Sequence, residues 1–124
     1  MSLFHLREIW NWIRLPDEEF DHNCLLVCNI DNNQDKTDKV ITANLEGIIR
    51  VFSIRLDGEN DQKNASELLM EIDFKEPIIQ ITSGLLLQSQ NIQLGVLHPK
   101  RFCVYSVSCK YLFLLIIFFI KLFI

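Results

Sequence analysis

The sequence predicts an all-β fold, and three features of its 124 residues support that prediction. Short apolar segments alternate with polar turns through most of the chain, which is typical of strands. No helical pattern separates these segments, as it would in an α/β protein. Several segments, such as Ile48–Ile54, have apolar residues at both odd and even positions. This pattern indicates strands that are covered on both faces.

Residues 1–16 are the exception, because they predict a short amphipathic helix. Leu3, Leu6, Trp10 and Ile13 recur at helical spacing, and Pro16 disfavours helix at the residue before it. The polar side of this helix carries too few cations to favour a membrane surface. We expect it to dock on its own domain, with a membrane surface or a partner protein as the alternative.

Residues 17–108 predict seven strands. They are Cys24–Ile30, Lys39–Asn44, Ile48–Ile54, Leu68–Phe74, Ile78–Thr82, Ile92–Leu97 and Phe102–Val107. Glu46-Gly47 and Pro99-Lys100 supply tight turns, since Gly relieves turn sterics and Pro fixes φ. We therefore expect the second strand to pair with the third and the sixth with the seventh.

An internal repeat relates the two halves of this region. When the sequence is shifted by 53 positions, Ile49–Ile54 falls on Phe102–Val107, and the strand that opens at Cys24 falls on the one that opens at Pro77. A period near 50 residues in an all-β chain is typical of propeller blades. The repeat predicts an incomplete β-propeller, with a complete first blade at about residues 24–74 and a three-stranded part of a second at about 77–108.

A hydrophobic tail, residues 109–124, follows the second unit. From Tyr111 to Ile124 the only charge is Lys121. As a helix these fourteen residues would span about 21 Å, short of the ~30 Å hydrocarbon core of a bilayer. We favour a segment that does not belong to the natural domain; a membrane anchor and a hydrophobic strand are the alternatives.

Composition and motifs argue against several kinds of chemistry. The net charge is −4 and no basic run exceeds Lys100–Arg101, so a nucleic-acid partner is not expected. No catalytic or nucleotide-binding motif occurs, and His5, His22 and His98 are far apart in sequence. No catalytic or cofactor-binding residues are therefore predicted. The four cysteines lack zinc-knuckle spacing, and we expect free thiols.

One turn has the spacing of a calcium loop. Asp31, Asn33, Asp35 and Asp38 place oxygen-bearing side chains at nearly alternate positions, which is a pattern that suits Ca²⁺. Lys36 stands where a turn-making Gly is wanted, and Asp38 comes one residue early. We therefore expect a solvated Asn/Asp turn and no metal, with a calcium-binding blade domain as the alternative.

A family resemblance accompanies these patterns. MSLFHLREIWNWI, DKVITANLEGIIRVFS and LGVLHPKRFCVYSVS, in that order, resemble the extreme N-terminus of the parathyroid hormone-responsive B1 family, whose members are subunits of the BBSome. The resemblance runs from Met1 to about Ser108. It implies an N-terminal β-propeller of a non-enzymatic scaffold in a coat complex that carries membrane proteins to and from the cilium.

The resemblance also implies partners and a location. Other BBSome subunits would be direct partners and ciliary membrane cargo an indirect one, in the cytoplasm near the cilium and basal body. The alternative from another class is a small protein anchored in a membrane by its tail.

Overall fold

The described residues of the chain form two four-stranded antiparallel sheets. A computed structural model describes residues 3–54, 66–108 and 113–121, with residues 66–67 and 113–121 described for the backbone only. The first sheet contains β1 (Leu25–Cys28), β2 (Lys39–Ala43), β3 (Ile48–Ile54) and β4 (Ser66–Asp73). The second contains β5 (Gln80–Gly84), β6 (Gln93–Leu97), β7 (Arg101–Ser108) and β8 (Phe113–Lys121). A 3-10 turn, Leu86–Gln88, lies between β5 and β6.

Both sheets are simple meanders, in the orders β1-β2-β3-β4 and β5-β6-β7-β8. The all-β prediction is confirmed, and so are the two predicted hairpins: Val40 pairs with Phe52 in the first, and Val96 with Cys103 in the second. The turn of the first hairpin depends on Gly47, whose φ of +97° is rarely adopted by residues with a side chain.

The predicted repeat appears in the strand pairing. Each sheet has one bulge, between Val51 and Phe52 in the first and between Val104 and Tyr105 in the second. These positions are 53 residues apart, which is the period of the sequence repeat. In both sheets the extra residue belongs to the fourth strand: Leu69 in β4 and Ile117 in β8.

Residues 77–108 contain the three predicted strands of the second unit, and a fourth strand joins them from the tail. The backbone of Phe113–Lys121 forms β8, which pairs with β7 from Ser108 to Arg101. Of the three interpretations of the tail, a strand is therefore the one that the backbone adopts here. The sequence disfavoured a strand here because ten unbroken apolar residues exceed the usual strand length. In the structure, β8 has nine residues, and it pairs with the eight residues of β7 by means of one bulge.

The predicted N-terminal helix is wrong. No residue from Leu3 to Leu15 has helical structure. Trp10 and Trp12 both contact Phe52, at ring-centroid distances of 5.6 and 5.5 Å. Residues two apart share a face in an extended chain but point about 200° apart around a helix, so this contact requires the extended form.

The core lies between the two sheets. Every second residue along the strands points into this space, and these side chains form one buried cluster. It includes Ile41, Ile49, Val51, Met70, Ile81, Leu94, Val96 and Tyr105. Burial of a side chain such as Ile49, which is 0% exposed, stabilises the fold by roughly 1.5–3 kcal/mol. Because both sheets contribute to one core, neither can be removed without exposing the other.

Polar contacts also join the sheets. Ile81 N–H donates to Asn23 O over 3.1 Å, and Ile78 N–H donates to Asn44 O over 3.3 Å. The Asn32 side chain makes a two-point contact with Ile92: its Nδ2 donates to Ile92 O (3.0 Å), and its Oδ1 accepts from Ile92 N–H (2.8 Å). Asn32 thereby pairs with a backbone segment as another strand residue would.

Candidate interaction surface and the predicted calcium loop

The outer face of the first sheet, which points away from the second sheet, is partly covered by the N-terminal segment, residues 3–20. Phe52 lies on this face, and Trp10 and Trp12 pack against it. Phe20 meets Trp12 edge-on at 5.7 Å. The two tryptophan contacts fix the middle of the segment on β3, and Phe20 packs on the segment itself.

A buried ion pair holds the same segment. Glu18 Oε1 accepts a hydrogen bond from Arg50 Nη2 at 2.5 Å, and the two side chains are 5% and 7% exposed. The Arg50 guanidinium also lies 5.1 Å from the ring centroid of Trp12, and the guanidinium of Arg14 donates to the Glu18 carbonyl. Leu15 N–H donates to the second carboxylate oxygen of Glu18 over 3.2 Å. The charges are therefore matched within the contact, as burial requires.

The rest of the segment exposes large apolar side chains. Leu3 is 86% exposed, Leu6 is fully exposed and Ile13 is 79% exposed. On the outer face of β1, Leu25 and Val27 are 61% and 63% exposed. Exposed apolar groups on an anchored segment are typical of a protein-interaction surface, and β1 adds two more on the same sheet.

The turn with calcium-loop spacing, for which calcium binding was the alternative to a solvated turn, does not gather Asp31, Asn33, Asp35 and Asp38 around one point. Asp35 Oδ1 accepts from Thr37 N–H and Thr37 Oγ1, at 3.3 and 3.0 Å, and Asn33 uses its carbonyl to accept from Asn29 Nδ2 at 2.9 Å. Asp38 is exposed. Among the described residues, no group of three or more His, Cys, Asp or Glu could hold a metal ion.

Asp31 instead faces a lysine. Its Oδ1 forms an ion pair of 2.8 Å with Lys39 Nζ, and the Lys39 side chain is only 3% exposed. Asn29 Oδ1, Thr37 O and Thr37 Oγ1 accept hydrogen bonds from the same ammonium group at 3.0, 2.8 and 3.0 Å. The loop thus surrounds a cation, and this cation is the ammonium group of Lys39.

Hydrogen bonds and burial shift the pKa of Asp35 in this loop and of the cysteines that flank β1. The Thr37 N–H and hydroxyl donors lower the pKa of Asp35 below its ordinary value. Burial raises the pKa of the Cys28 thiol and, with the nearby charge of Asp21, raises that of Cys24 to about 11. Raised thiol pKa values disfavour the reactive thiolate. Cys24, Cys28 and Cys103 are free cysteines, as expected for this part of the chain.

The three histidines lie on separate parts of the structure. His5 and His22 are exposed, whereas His98 is fully buried after β6, with Nδ1 2.9 Å from Pro77 O. Phe74 lies 6.0 Å from the His98 ring. This environment gives His98 a packing role and places no second histidine beside it.

Sequence reasoning missed Lys39 and Arg50. A signal for Lys39 was present, because Lys39 shares its strand parity with Ile41 and Ala43, which the alternation directs towards the core. Arg50 likewise lies within the apolar run Ile48–Ile54. A charge inside an apolar strand signals a buried pair, although the partner Glu18 is distant in sequence.

None of the helices in the described part of the chain has the length and apolar character needed to cross a bilayer. The one helical element there is the 3-10 turn Leu86–Gln88. The predicted alternative of a helical membrane anchor concerned residues 109–124, of which 113–121 are described and form β8.

Comparison with known proteins matches most of the chain to one family. The sequence model described as PTHB1 N-terminal covers residues 1–113. Over 109 residues, 87% of this chain, the sequence is 38% identical to Protein PTHB1 of Homo sapiens and 38% identical to Protein PTHB1 of Xenopus laevis. Protein PTHB1 of Mus musculus is 35% identical over the same length.

The chain spans only 12–13% of the length of these curated relatives. The match therefore concerns their N-terminal domain, and it includes the anchored segment, both buried pairs and the first seven strands. By the extent of these matches, the chain belongs to the PTHB1 N-terminal family.

Proposed function

We propose that this chain works as a non-enzymatic protein-interaction module of the BBSome, the coat complex that carries membrane proteins to and from the cilium. Its direct partners would be other BBSome subunits, and ciliary membrane proteins would be indirect partners. The corresponding location is the cytoplasm near the cilium and basal body. Membership of the PTHB1 N-terminal family supports this proposal.

The observation that carries the proposal is the N-terminal segment. It is fixed to the first sheet by Trp12 and by the buried pair of Glu18 and Arg50, yet it exposes Leu6 and Ile13 to solvent. Fixing the backbone before binding reduces the entropy lost on association. An anchored segment with exposed apolar side chains is therefore suited to contact another protein.

Co-purification tests the proposal. The full chain carries an affinity tag and is co-expressed with each of the remaining BBSome subunits in turn. We expect one or more subunits to co-purify with the full chain. The double variant Leu6→Asp/Ile13→Asp should recover about tenfold less of that subunit, because each change places a charge in an apolar contact.

Gln90→Asp is the matched control, because it adds a charge at an exposed position of the second sheet's β5–β6 connection. Thermal melting of every variant checks that the fold is intact. The proposal fails if the full chain recovers none of the subunits, or if the Leu6→Asp/Ile13→Asp and Gln90→Asp variants recover equal amounts.

A further inference from the structure

Residues 29–39 form a closed loop around one buried cation, the ammonium group of Lys39. Four oxygen atoms lie within 3.0 Å of Lys39 Nζ: Asp31 Oδ1, Asn29 Oδ1, Thr37 O and Thr37 Oγ1. We call this set the Lys39 cage. Burial of an ammonium group is costly unless it is paired and hydrogen-bonded, so the cage is what allows Lys39 to be buried.

The donor set of the cage is also that of a calcium site. Calcium takes carboxylate, amide and backbone carbonyl oxygens, with water completing six to eight ligands at about 2.3–2.6 Å. The cage offers one of each of these protein groups, together with a hydroxyl. Its oxygen atoms lie 2.8–3.0 Å from Nζ, which is the spacing of hydrogen bonds to nitrogen.

The caged loop also joins the two sheets. Asn32 lies in this loop, one residue after Asp31, with a φ of +53°. From there its side chain reaches Ile92, the residue before β6 of the second sheet, through two hydrogen bonds. The cation that closes the loop therefore also fixes the position of a contact between the sheets.

We propose that Lys39 supplies the cation of a calcium-type loop: its ammonium group keeps the loop closed without metal, and its removal leaves a site that binds Ca²⁺. The intact chain does not bind calcium there, because a divalent ion would share the cage with a positive charge at under 3 Å. With Lys39 removed, Asp31 is the one carboxylate in the cage. A single carboxylate gives weak binding, with a dissociation constant of about 10⁻³ M.

Thermal unfolding of the full chain in CaCl₂ tests the proposal. Lys39→Met keeps the length and volume of the side chain and removes the charge. We expect this variant to melt below the unaltered chain without calcium, and to gain about 5 °C in about 10 mM CaCl₂ relative to NaCl of equal ionic strength. The unaltered chain should gain nothing beyond the NaCl reference.

Two further variants control for charge. Lys36→Met removes an exposed lysine of the same loop and should not create a response to calcium. Lys39→Met/Asp31→Asn lacks the carboxylate and should respond no more than the unaltered chain. Equal calcium responses in Lys39→Met and Lys36→Met, or in Lys39→Met and the double variant, would overturn the proposal.

Lys39→Met could lose its fold, because it leaves Asp31 without a partner. In that case the near-ultraviolet circular dichroism signal should return when CaCl₂ is added, and a chain that stays unfolded in calcium contradicts the proposal. Labelling of the unaltered chain with an amine-reactive ester gives a second check. Lys36 should react and Lys39 should stay protected; equal labelling would show that the cage is open and would overturn the assignment.

Discussion

Arg50 and Glu18 form a 2.5 Å ion pair in which both side chains are more than nine-tenths buried. Arg50 belongs to β3 and Glu18 to the N-terminal segment, so the pair connects two regions that are 32 residues apart. Removal of the Glu18 charge leaves the buried Arg50 guanidinium with the half-exposed Glu71 as a more distant partner, at 3.5 Å.

We therefore expect Glu18→Gln to lower the free energy of unfolding by about 3–5 kcal/mol in urea titration. Glu71→Gln is the matched control. Glu71 lies 3.5 Å from the same guanidinium but is 47% exposed, and its loss should cost less than about 1 kcal/mol. Equal losses in the two variants would show that burial of the Glu18 pair has no special effect.

Asn32 should contribute more to stability than its neighbour Asn33. Asn32→Ala removes both hydrogen bonds to Ile92 and places Ala at a positive φ, so we expect a loss of about 1–3 kcal/mol. Asn33→Ala serves as the control, because its side chain makes only a 3.4 Å exposed contact with Asp35 N–H. Chemical unfolding curves measure both. A loss for Asn33→Ala as large as that for Asn32→Ala would contradict the two-point contact.

Gly47 should be less replaceable than Gly84. A Cβ at Gly47 would lie 2.5 Å from Glu76 O and 2.8 Å from Glu76 N, and φ is +97°. Both atoms are backbone, so they cannot move aside without shifting the chain. We expect Gly47→Ala to cost more than about 2 kcal/mol, measured by the midpoint of thermal unfolding.

Gly84→Ala provides the comparison, because the nearest atom to its Cβ would be a Leu86 side-chain carbon at 3.8 Å. That substitution should change stability by less than about 1 kcal/mol. A Gly84→Ala change as damaging as Gly47→Ala would refute the steric explanation.

We expect the contribution of Cys24 to the free energy of unfolding to fall at alkaline pH. Burial raises the pKa of its thiol from 9.0 to about 11, so the folded state favours the neutral thiol. The stability that the neutral Cys24 thiol contributes is complete below pH 9. It is lost as the pH rises from 9 to 11, because the thiol of the unfolded chain ionises first. The stability difference between the unaltered chain and Cys24→Ala should therefore shrink over that interval.

Urea unfolding at several pH values measures this difference. Val27→Ala is the control, since it changes an exposed side chain that does not titrate. Its stability difference from the unaltered chain should stay constant with pH. A Cys24→Ala difference that is equally constant would contradict the raised thiol pKa.

The strands were predictable because their signals are local. Turn residues such as Gly47 and the alternation around Val96 fix the hairpins within about fifteen residues of sequence, and the repeat gives an independent check on register. The N-terminal segment was not predictable in this way. Leu3, Leu6 and Trp10 have helical spacing, but the contact between Trp12 and Phe52 joins residues 40 positions apart and selects the extended form.

The loop from Asp31 to Asp38 shows a different limit. Its spacing led us to expect a solvated turn with calcium binding as the alternative, whereas Asp31 faces the ammonium group of Lys39. The identity of that cation depended on the burial of Lys39, which follows from strand parity once β2 is known. The spacing of Asn33, Asp35 and Asp38 indicated a turn, but none of these three residues supplies an oxygen atom to the Lys39 cage.

The bulges have a geometric consequence for how the sheets nest. A bulge increases the local right-handed twist of a strand pair. The β3–β4 and β7–β8 pairs are bulged at equivalent positions of the two sheets, after Val51 and after Val104, so the two sheets gain extra twist at the same place in their strand order. Surfaces of equal curvature stay at a constant separation along their length, whereas unequal ones diverge into a wedge that side chains cannot fill. The extra residues Leu69 and Ile117 thus give the two sheets a matching local twist, which is the condition for two sheets to keep an even separation.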